Sequence, residues 1–199
     1  MTVSLAPAFR FHDPENALAY ERLLRAAPRT GRCGVWLAEG ALEGSGPPVP
    51  VPPLDPLAVL EEWWPGPGLF PGLAPGRPPR REEVVDEAVA WAENDAGRAR
   101  LVVGVGRRPA DLLATLGWAG ARRDLAGLVT VLRNWESRFG ALVVRIGVGD
   151  LVLTVAAPPR TAADADRVAA EHVALLPGLD RRGYAARLSG ARVWRLRWG

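Results

Sequence analysis

The sequence predicts an α+β fold in which a mixed, mostly antiparallel sheet is flanked by helices and follows an irregular, Pro/Gly-rich N-terminal half. Residues 132–156 predict the end of a helix, a glycine stop and two short apolar strands joined by a tight turn. From Arg100 onward the predicted order is strand, helix, helix, strand, strand, helix, helix, strand, which is not the strict alternation of a doubly wound sheet. Residues 44–79 contain twelve prolines, a density that excludes regular strands and long helices.

The helix that leads into the hairpin carries one wide apolar stripe. Leu128, Val131 and Trp135 recur at intervals of three and four residues, and Gly140 supplies the positive φ with which helices commonly end. Arg138 falls on the same stripe, so we expect a partner for its guanidinium, because an unpaired buried charge is costly. Glu171 on a later helix is the expected partner. Glu136 and Arg133 are expected to form an ordinary pair on the helix surface.

The other elements follow from their local signals. The N-terminal half predicts a helix over residues 13–27 capped by Asp13, a strand over 33–38 and a short helix over 55–64 that begins with Asp55 and a proline. A helix over 82–96 ended by Gly97, a strand over 100–105 and a short helix over 109–116 come next. Thr161 and Asp164 resemble a capping box at the start of a helix that ends near residue 176. A helical turn over 184–188 and an alternating strand over 193–198 complete the chain.

These elements divide the chain into three parts that are expected to form one cooperative domain. Residues 1–43 form a lead-in of one helix and one strand, residues 44–81 form a Pro/Gly-rich loop segment, and residues 82–199 form the main α+β unit. The loop segment contains the apolar residues Trp63, Trp64, Leu69, Phe70 and Leu73, which indicates that it packs against the core, since a wholly solvated linker would not need them.

Composition restricts the possible partners and locations. All 25 basic residues are arginines, and the net charge is only +3, so we expect no nucleic-acid partner. The feature most similar to a nucleic-acid-binding stripe is Arg195 and Arg197 on the last strand. Cys33 is the single cysteine, which excludes an internal disulfide and suits a reducing compartment. No apolar run is long enough for a membrane helix, and the first residues do not resemble a signal peptide. The expected location is the cytoplasm, with no membrane contact.

No cofactor or metal is expected from the motifs. The segment from Gly104 to Pro109 lies between a strand and a helix, as a dinucleotide-binding turn does, but Pro109 occupies the place of the third glycine. The chain also lacks lysine and therefore any phosphate-binding Gly-Lys-Ser/Thr motif. His12 and His172 lie far apart, and a single cysteine provides no zinc-site spacing.

Two function hypotheses remain. In the favoured hypothesis the protein is a non-catalytic protein-binding module, of the immunity or regulatory kind by analogy with small bacterial proteins, and contacts its partner through Trp63, Trp64 and Phe70. The alternative is a small hydrolase or transferase in which His172 acts as general acid or base beside Glu171, Arg138 anchors an anion and Glu136 is a further candidate. Helical spacing turns His172 toward the core, and this favours a structural role for it.

Most of the chain, from about Gly34 and most densely from Val131 on, resembles the family known as domain of unknown function 4253. The resemblance is carried by three segments: Val-Leu-Arg-x-Trp-Glu-x-Arg-Phe-Gly-Ala (131–141), Asp-Leu-Val-Leu-x-Val-Ala-x-Pro-Pro (150–159) and Val-Ala-Ala-Glu-His (168–172). The resemblance implies membership of a bacterial family without an assigned reaction. Family members usually continue Glu-His with Phe-Ala-Phe-Cys-Pro-Asp, whereas this chain has Val-Ala-Leu-Leu-Pro-Gly (173–178). The polar groups that would help a catalytic histidine are therefore missing here.

Overall fold

The computed structural model describes residues 4–5, 14–95, 99–121 and 123–199. Its single six-stranded sheet has the order β1-β3-β2-β4-β5-β6. The strands are β1 (Ser4–Leu5), β2 (Arg32–Ala38), β3 (Ala99–Val105), β4 (Ala141–Ile146), β5 (Asp150–Val155) and β6 (Val193–Arg197). The helices are α1 (Pro14–Thr30), α2 (Pro56–Trp63), α3 (Arg81–Asp95), α4 (Asp111–Thr115), α5 (Leu125–Phe139), α6 (Ala162–Leu175) and α7 (Arg181–Leu188).

The sheet confirms the predicted α+β class with a mixed, mostly antiparallel arrangement. Within it, β2 pairs with β4 in parallel, and the other neighbouring strands run antiparallel. The element order from β3 to β6 is the predicted one. The strand β2, which the sequence suggested was part of a lead-in, lies in the interior of the sheet between β3 and β4. No helix among the described residues is long and apolar enough to cross a membrane.

Both faces of the sheet are covered, because successive side chains along a strand point to opposite faces. One face packs against α1 and α3 through a cluster that includes Tyr20, Trp36 and Trp91. The opposite side of the sheet carries α4 to α7, with α2 packed on α5 and α6, and holds the larger cluster, with Trp135 and Trp194 among its largest buried side chains. The strands β4 and β5 are therefore buried on both sides, which explains their continuous apolar sequences.

The helix ends follow the predicted local chemistry. Asp55 caps α2 by accepting the amide of Leu57, and Gly140 ends α5 with φ of 60°, both as predicted. Asp124, which was not predicted as a cap, accepts the amide of Gly127 at the start of α5. Thr161 caps α6 by accepting the amide of Asp164, and its hydroxyl donates to the Asp164 carboxylate at 2.7 Å. The predicted roles of Asp13 and Gly97 at helix ends lie outside the described residues.

The Pro/Gly-rich segment lies against α5 and α6. Phe70 and Ala74 are buried in the larger core cluster, and Leu73 packs at its edge. The backbone at Gly76 lies so close to α5 that only glycine fits, since a Cβ at this position would stand 2.4 Å from the Cβ of Arg138. The segment is therefore a packed part of the fold, although only α2 within it is helical.

Replacing Gly140 by alanine should destabilise the protein more than the same change at Gly190. Both glycines have positive φ, which costs a non-glycine residue about 1–2 kcal/mol. At Gly140 the added Cβ would also stand 2.6 Å from Pro79 Cγ, whereas at Gly190 it would meet no atom within 4 Å. We expect Gly140→Ala to lower the free energy of unfolding by about 2–4 kcal/mol and Gly190→Ala by about 1 kcal/mol, measured by urea unfolding. Equal losses would show that the turn after α5 is not tightly packed.

Candidate functional site: a buried carboxylate and its donors

The side chain of Glu171, on α6, lies entirely inside the protein with no exposed surface. Its Oε2 accepts a hydrogen bond from the indole of Trp135 at 2.6 Å, and its Oε1 accepts the backbone N–H of Ala74 at 2.7 Å. Arg138 donates to both oxygens, with its Nη1 3.0 Å from Oε1 and its Nη2 closer to Oε2. A carboxylate offers about four acceptor positions, and these four donors occupy them.

Arg138, on α5, completes the arrangement. Its side chain is 14% exposed, its Nε donates to Asn134 at 2.7 Å, and its Nη1 also donates to the carbonyl oxygen of Ala74. Both backbone polar groups of Ala74 are thus held, the N–H by Glu171 and the carbonyl by Arg138. We call this group, comprising Ala74, Trp135, Arg138 and Glu171, the Ala74 clamp. The predicted bridge between Arg138 and Glu171 is confirmed, and it also ties down the Pro/Gly-rich segment.

The chemistry of the clamp is that of a structural ion pair. Removing a carboxylate and a guanidinium from water is expensive and is offset only when the remaining hydrogen-bonding positions are filled. Here the donors come from α5 and from the segment between α2 and α3. With every acceptor position taken, the Glu171 carboxylate has none left with which to accept a proton from a substrate or to bind a cation.

His172 is the next residue on α6, and it is also completely buried, as its helical spacing predicted. Its Nδ1 lies 2.9 Å from the hydroxyl of Tyr184, and its ring packs against Trp135 at 4.5 Å and Trp194 at 4.8 Å between ring centroids. Burial lowers the pKa of His172 to about 3, so the imidazole is neutral near pH 7. General acid–base catalysis needs a pKa near the working pH and access to a substrate proton, and this imidazole has neither.

Glu136 does not join the clamp. It projects from a different side of α5, where its electrostatic neighbours are Arg108, Arg81 and Asp111, and burial raises its pKa to about 7. Arg133 is also an electrostatic neighbour of Glu136, but the expected surface ion pair between them is wrong, because Glu136 is largely buried and the Nε of Arg133 donates to Asp111 at 2.8 Å. The structure therefore brings together Arg138, Glu171 and His172 of the four candidates, but not Glu136.

The aromatic residues predicted to contact a partner differ in their exposure. Phe70 is buried and meets Trp64 edge to face, with ring centroids 5.7 Å apart. Trp63 and Trp64 are half-buried, and the guanidinium carbons of Arg123 and Arg181 lie 5.4 and 5.8 Å from their respective rings. The most exposed large apolar side chain of the described residues is instead Leu69, at 95%. Leu69 was expected to pack against the core with the other apolar residues of this segment, and that prediction is wrong, because the loop turns its side chain into solvent.

The surface cavities of the protein lie away from the clamp. Three surface cavities, of about 520, 470 and 350 Å³, are lined by none of the clamp residues and not by His172. Within the described part of the chain, no group of three or more His, Cys, Asp or Glu side chains is placed to hold a metal ion. His12 lies outside that part. The arginines of the predicted basic stripe are partly neutralised, since Arg195 pairs with Asp95 and its neighbour Arg192 pairs with Glu87.

Replacing Glu171 by glutamine should strongly destabilise the fold. The amide keeps the shape of the side chain but leaves the largely buried Arg138 without its counter-charge, for which we expect a loss of about 3–5 kcal/mol in the free energy of unfolding. The matched control is Asp86→Asn, which breaks the exposed pair with Arg25 and should cost less than about 1 kcal/mol. Guanidinium unfolding followed by tryptophan fluorescence measures both. A Glu171→Gln loss no larger than that of the control would contradict a structural clamp.

The stability of the protein should fall on acidification because of His172. Its pKa of about 3 in the folded protein lies below the usual value of about 6.5 in an unfolded chain, so between these pH values only the unfolded chain binds the proton. The free energy of unfolding is therefore not reduced by His172 above pH 6.5, and it decreases steadily as the pH falls from 6.5 toward 3. Between pH 7 and pH 5 the wild type should lose about 2 kcal/mol more than His172→Phe, measured by urea unfolding at each pH. Parallel pH profiles would show that the imidazole is not buried as a neutral group.

Comparison with known proteins supports the resemblance seen in the sequence. No curated protein and no solved structure matches the chain. The family model described as a domain of unknown function (DUF4253) matches residues 100–199, from β3 to the end of β6 and beyond. This match covers half of the chain and includes α5 and α6, which provide Trp135, Arg138 and Glu171. The chain therefore belongs to the DUF4253 family.

Proposed function

We propose that the protein is a non-catalytic protein-binding module whose contact surface centres on Leu69. The observation that carries the proposal is the 95% exposure of this leucine on a segment that is otherwise tied to the core. A large apolar side chain held out in water costs free energy that a partner can recover by burying it. We refer to Leu69 with the half-buried rings of Trp63 and Trp64 as the Leu69 surface.

The segment that presents Leu69 is held on both sides. On the C-terminal side, Phe70 is buried and the Ala74 clamp fixes the backbone. On the N-terminal side, Gly66 lies on the ring of Trp64, since a Cβ there would stand 2.3 Å from the indole Cζ2. A segment ordered before binding loses less conformational entropy when it binds, which favours recognition through a short loop.

The surroundings of Leu69 define the chemistry of the partner. A stable interface buries about 800 Å² on each side, so Trp63, Trp64 and the adjoining prolines must contribute with Leu69. Exposed Glu61 and Glu62 precede this surface, and exposed Arg77 and Arg80 follow it. We infer a protein partner with an apolar pocket that admits a leucine side chain and a rim that carries both signs of charge. An immunity or regulatory role in the cytoplasm is consistent with such a surface.

The alternative function, a hydrolase or transferase that uses Glu171, His172 and Arg138, is not favoured. The complete burial of Glu171 and His172 counts against it, as does the occupation of the carboxylate by four donors. An enzyme of this kind would need a substrate-sized opening at these groups, and the three cavities described above lie elsewhere.

Leu69→Asp should abolish partner capture without unfolding the protein, because a side chain so exposed contributes little to stability. The matched control is Leu18→Asp, at a leucine that is 51% exposed on α1, on the opposite side of the sheet. Tagged wild type and both variants are compared by quantitative mass spectrometry after cross-linking in cells of the source organism. We expect one protein recovered in near-stoichiometric amount with wild type and Leu18→Asp, and reduced at least about tenfold with Leu69→Asp. Equal recovery with both variants, or background proteins alone, would contradict the proposal.

A further inference from the structure

A second region of the molecule combines open space with an excess of positive charge. A cavity of about 470 Å³ lies between the loop after β3, one side of α5 and the proline-rich residues before α2. Arg107, Arg108 and Arg133 line it together with one acidic residue, Asp111. The lining therefore has a formal charge of +2. Glu136 on α5 lies outside the lining but is an electrostatic neighbour of Arg108 and Arg133, so its carboxyl, whose pKa burial raises to about 7, offsets part of this charge. We call this space the arginine cavity.

Asp111 neutralises only part of this charge because its oxygens are committed to structure. Its Oδ2 accepts the backbone N–H groups of Arg107 at 3.0 Å and Arg108 at 3.1 Å, and its Oδ1 accepts the Nε of Arg133. The carboxylate thus fixes the loop after β3 and one of the three guanidinium groups. It forms no ion pair with the side chains of Arg107 or Arg108.

Two of the guanidinium groups are placed to receive an anion. Arg108 is held by its Nη1 alone, which donates to the carbonyl oxygen of Arg133 at 2.7 Å and to Ser137 Oγ at 3.0 Å. Its Nε and Nη2 have no hydrogen-bond partner within the described ranges, and the exposed guanidinium of Arg107 has none there either. Arginine presents its donors as a rigid fork that matches the paired oxygens of a phosphoryl or carboxylate group.

The opposite wall of the cavity is apolar. Pro52, Pro53, Pro56 and the partly exposed Leu54 line it and offer no charge to a ligand. The volume falls within the range of small-molecule sites, which are mostly apolar clefts with a few well-placed polar groups. An inorganic ion would fill only part of it. A ligand that carries both an anionic group and an apolar body matches both walls.

We propose that the arginine cavity binds a small organic oxyanion, with its phosphoryl or carboxylate group on Arg107 and Arg108 and its apolar part against Leu54 and the neighbouring prolines. This gives a role to the segment from Gly104 to Pro109, which fails as a dinucleotide-binding turn but supplies two of the three arginines. The site is separate from the Leu69 surface, so either proposal can fail without the other.

Binding of three probes by isothermal titration calorimetry tests the proposal. Phenyl phosphate and benzoate carry the two oxyanions on the same ring, and phenol carries the ring without the charge. We expect saturable binding of phenyl phosphate or benzoate, and the preferred probe identifies the oxyanion. Phenol should bind at least about tenfold more weakly than that probe, because it cannot make the charge-assisted hydrogen bonds. Absence of saturable binding for both anions, or equal binding of phenol, would overturn the proposal.

Three variants test whether the preferred probe binds at the arginine cavity. Arg107→Ala removes an exposed side chain without breaking a described hydrogen bond and should weaken the preferred probe about tenfold. The matched control is Arg22→Ala, which removes the same charge from an exposed position on α1 and should change the affinity by less than about twofold. Arg107→Lys keeps the charge but not the fork, and should recover only part of the affinity. Equal losses for Arg107→Ala and Arg22→Ala would mean that the probe responds to net charge alone, which would overturn the assignment.

Discussion

The hydrogen bonds that fill the carboxylate of Glu171 are the constraint on which much of this structure depends. An ionised carboxylate without exposure is tolerated only when its acceptor positions are occupied, and here the donors come from Ala74, Trp135 and Arg138. Together with Glu171, these residues lie in three separate parts of the chain, namely the Pro/Gly-rich segment, α5 and α6. Satisfying one carboxylate therefore fixes α5 against α6 and holds the Pro/Gly-rich segment against both. The same contacts fix the position from which Leu69 reaches the solvent.

Local patterns predicted the elements that depend on local chemistry. The stripe on α5, the hairpin of β4 and β5, the cap at Thr161 and the alternation of β6 were all readable because each depends on spacing within a few residues. The partner of Arg138 was also predictable, since a charge on an apolar stripe must be paired. Ala74 could not have been identified in this way. It contributes only its backbone N–H and carbonyl, which every residue but proline possesses, so no side-chain signal marks it.

Three other features depended on contacts between distant residues. The parallel pairing of β2 with β4 joins strands about a hundred residues apart in the chain, and nothing within either strand specifies the neighbour. Phe70 and Leu69 are adjacent apolar residues in an irregular loop, where no period distinguishes the buried from the exposed one. Glu136 was expected beside Arg133, but α4 brings Asp111 to that arginine and so changes its pairing.

The helix α5 separates two kinds of charge. Toward α6 it presents Arg138 and Trp135, whose polar atoms are used within the protein. Toward the loop after β3 it presents Arg133 and Ser137, which border the arginine cavity. Arginines that are paired internally stabilise the fold, whereas in our proposal those that line the arginine cavity bind an oxyanion. The position of an arginine on the fold, rather than the number of arginines, distinguishes the two groups.

The central claim is that the buried ion pair serves to hold the backbone of Ala74. Hydrogen exchange of the Ala74 amide, measured by nuclear magnetic resonance, tests it most directly. This N–H donates to the side chain of Glu171 and not to a backbone carbonyl of a helix or strand. The account predicts that this amide exchanges as slowly as amides in β4 and β5, through global unfolding, and that Arg138→Met makes it exchange at least about tenfold faster relative to those strands. An Ala74 amide that exchanges in the wild type as fast as the amides of the exposed residues Gly68 and Leu69 would contradict it.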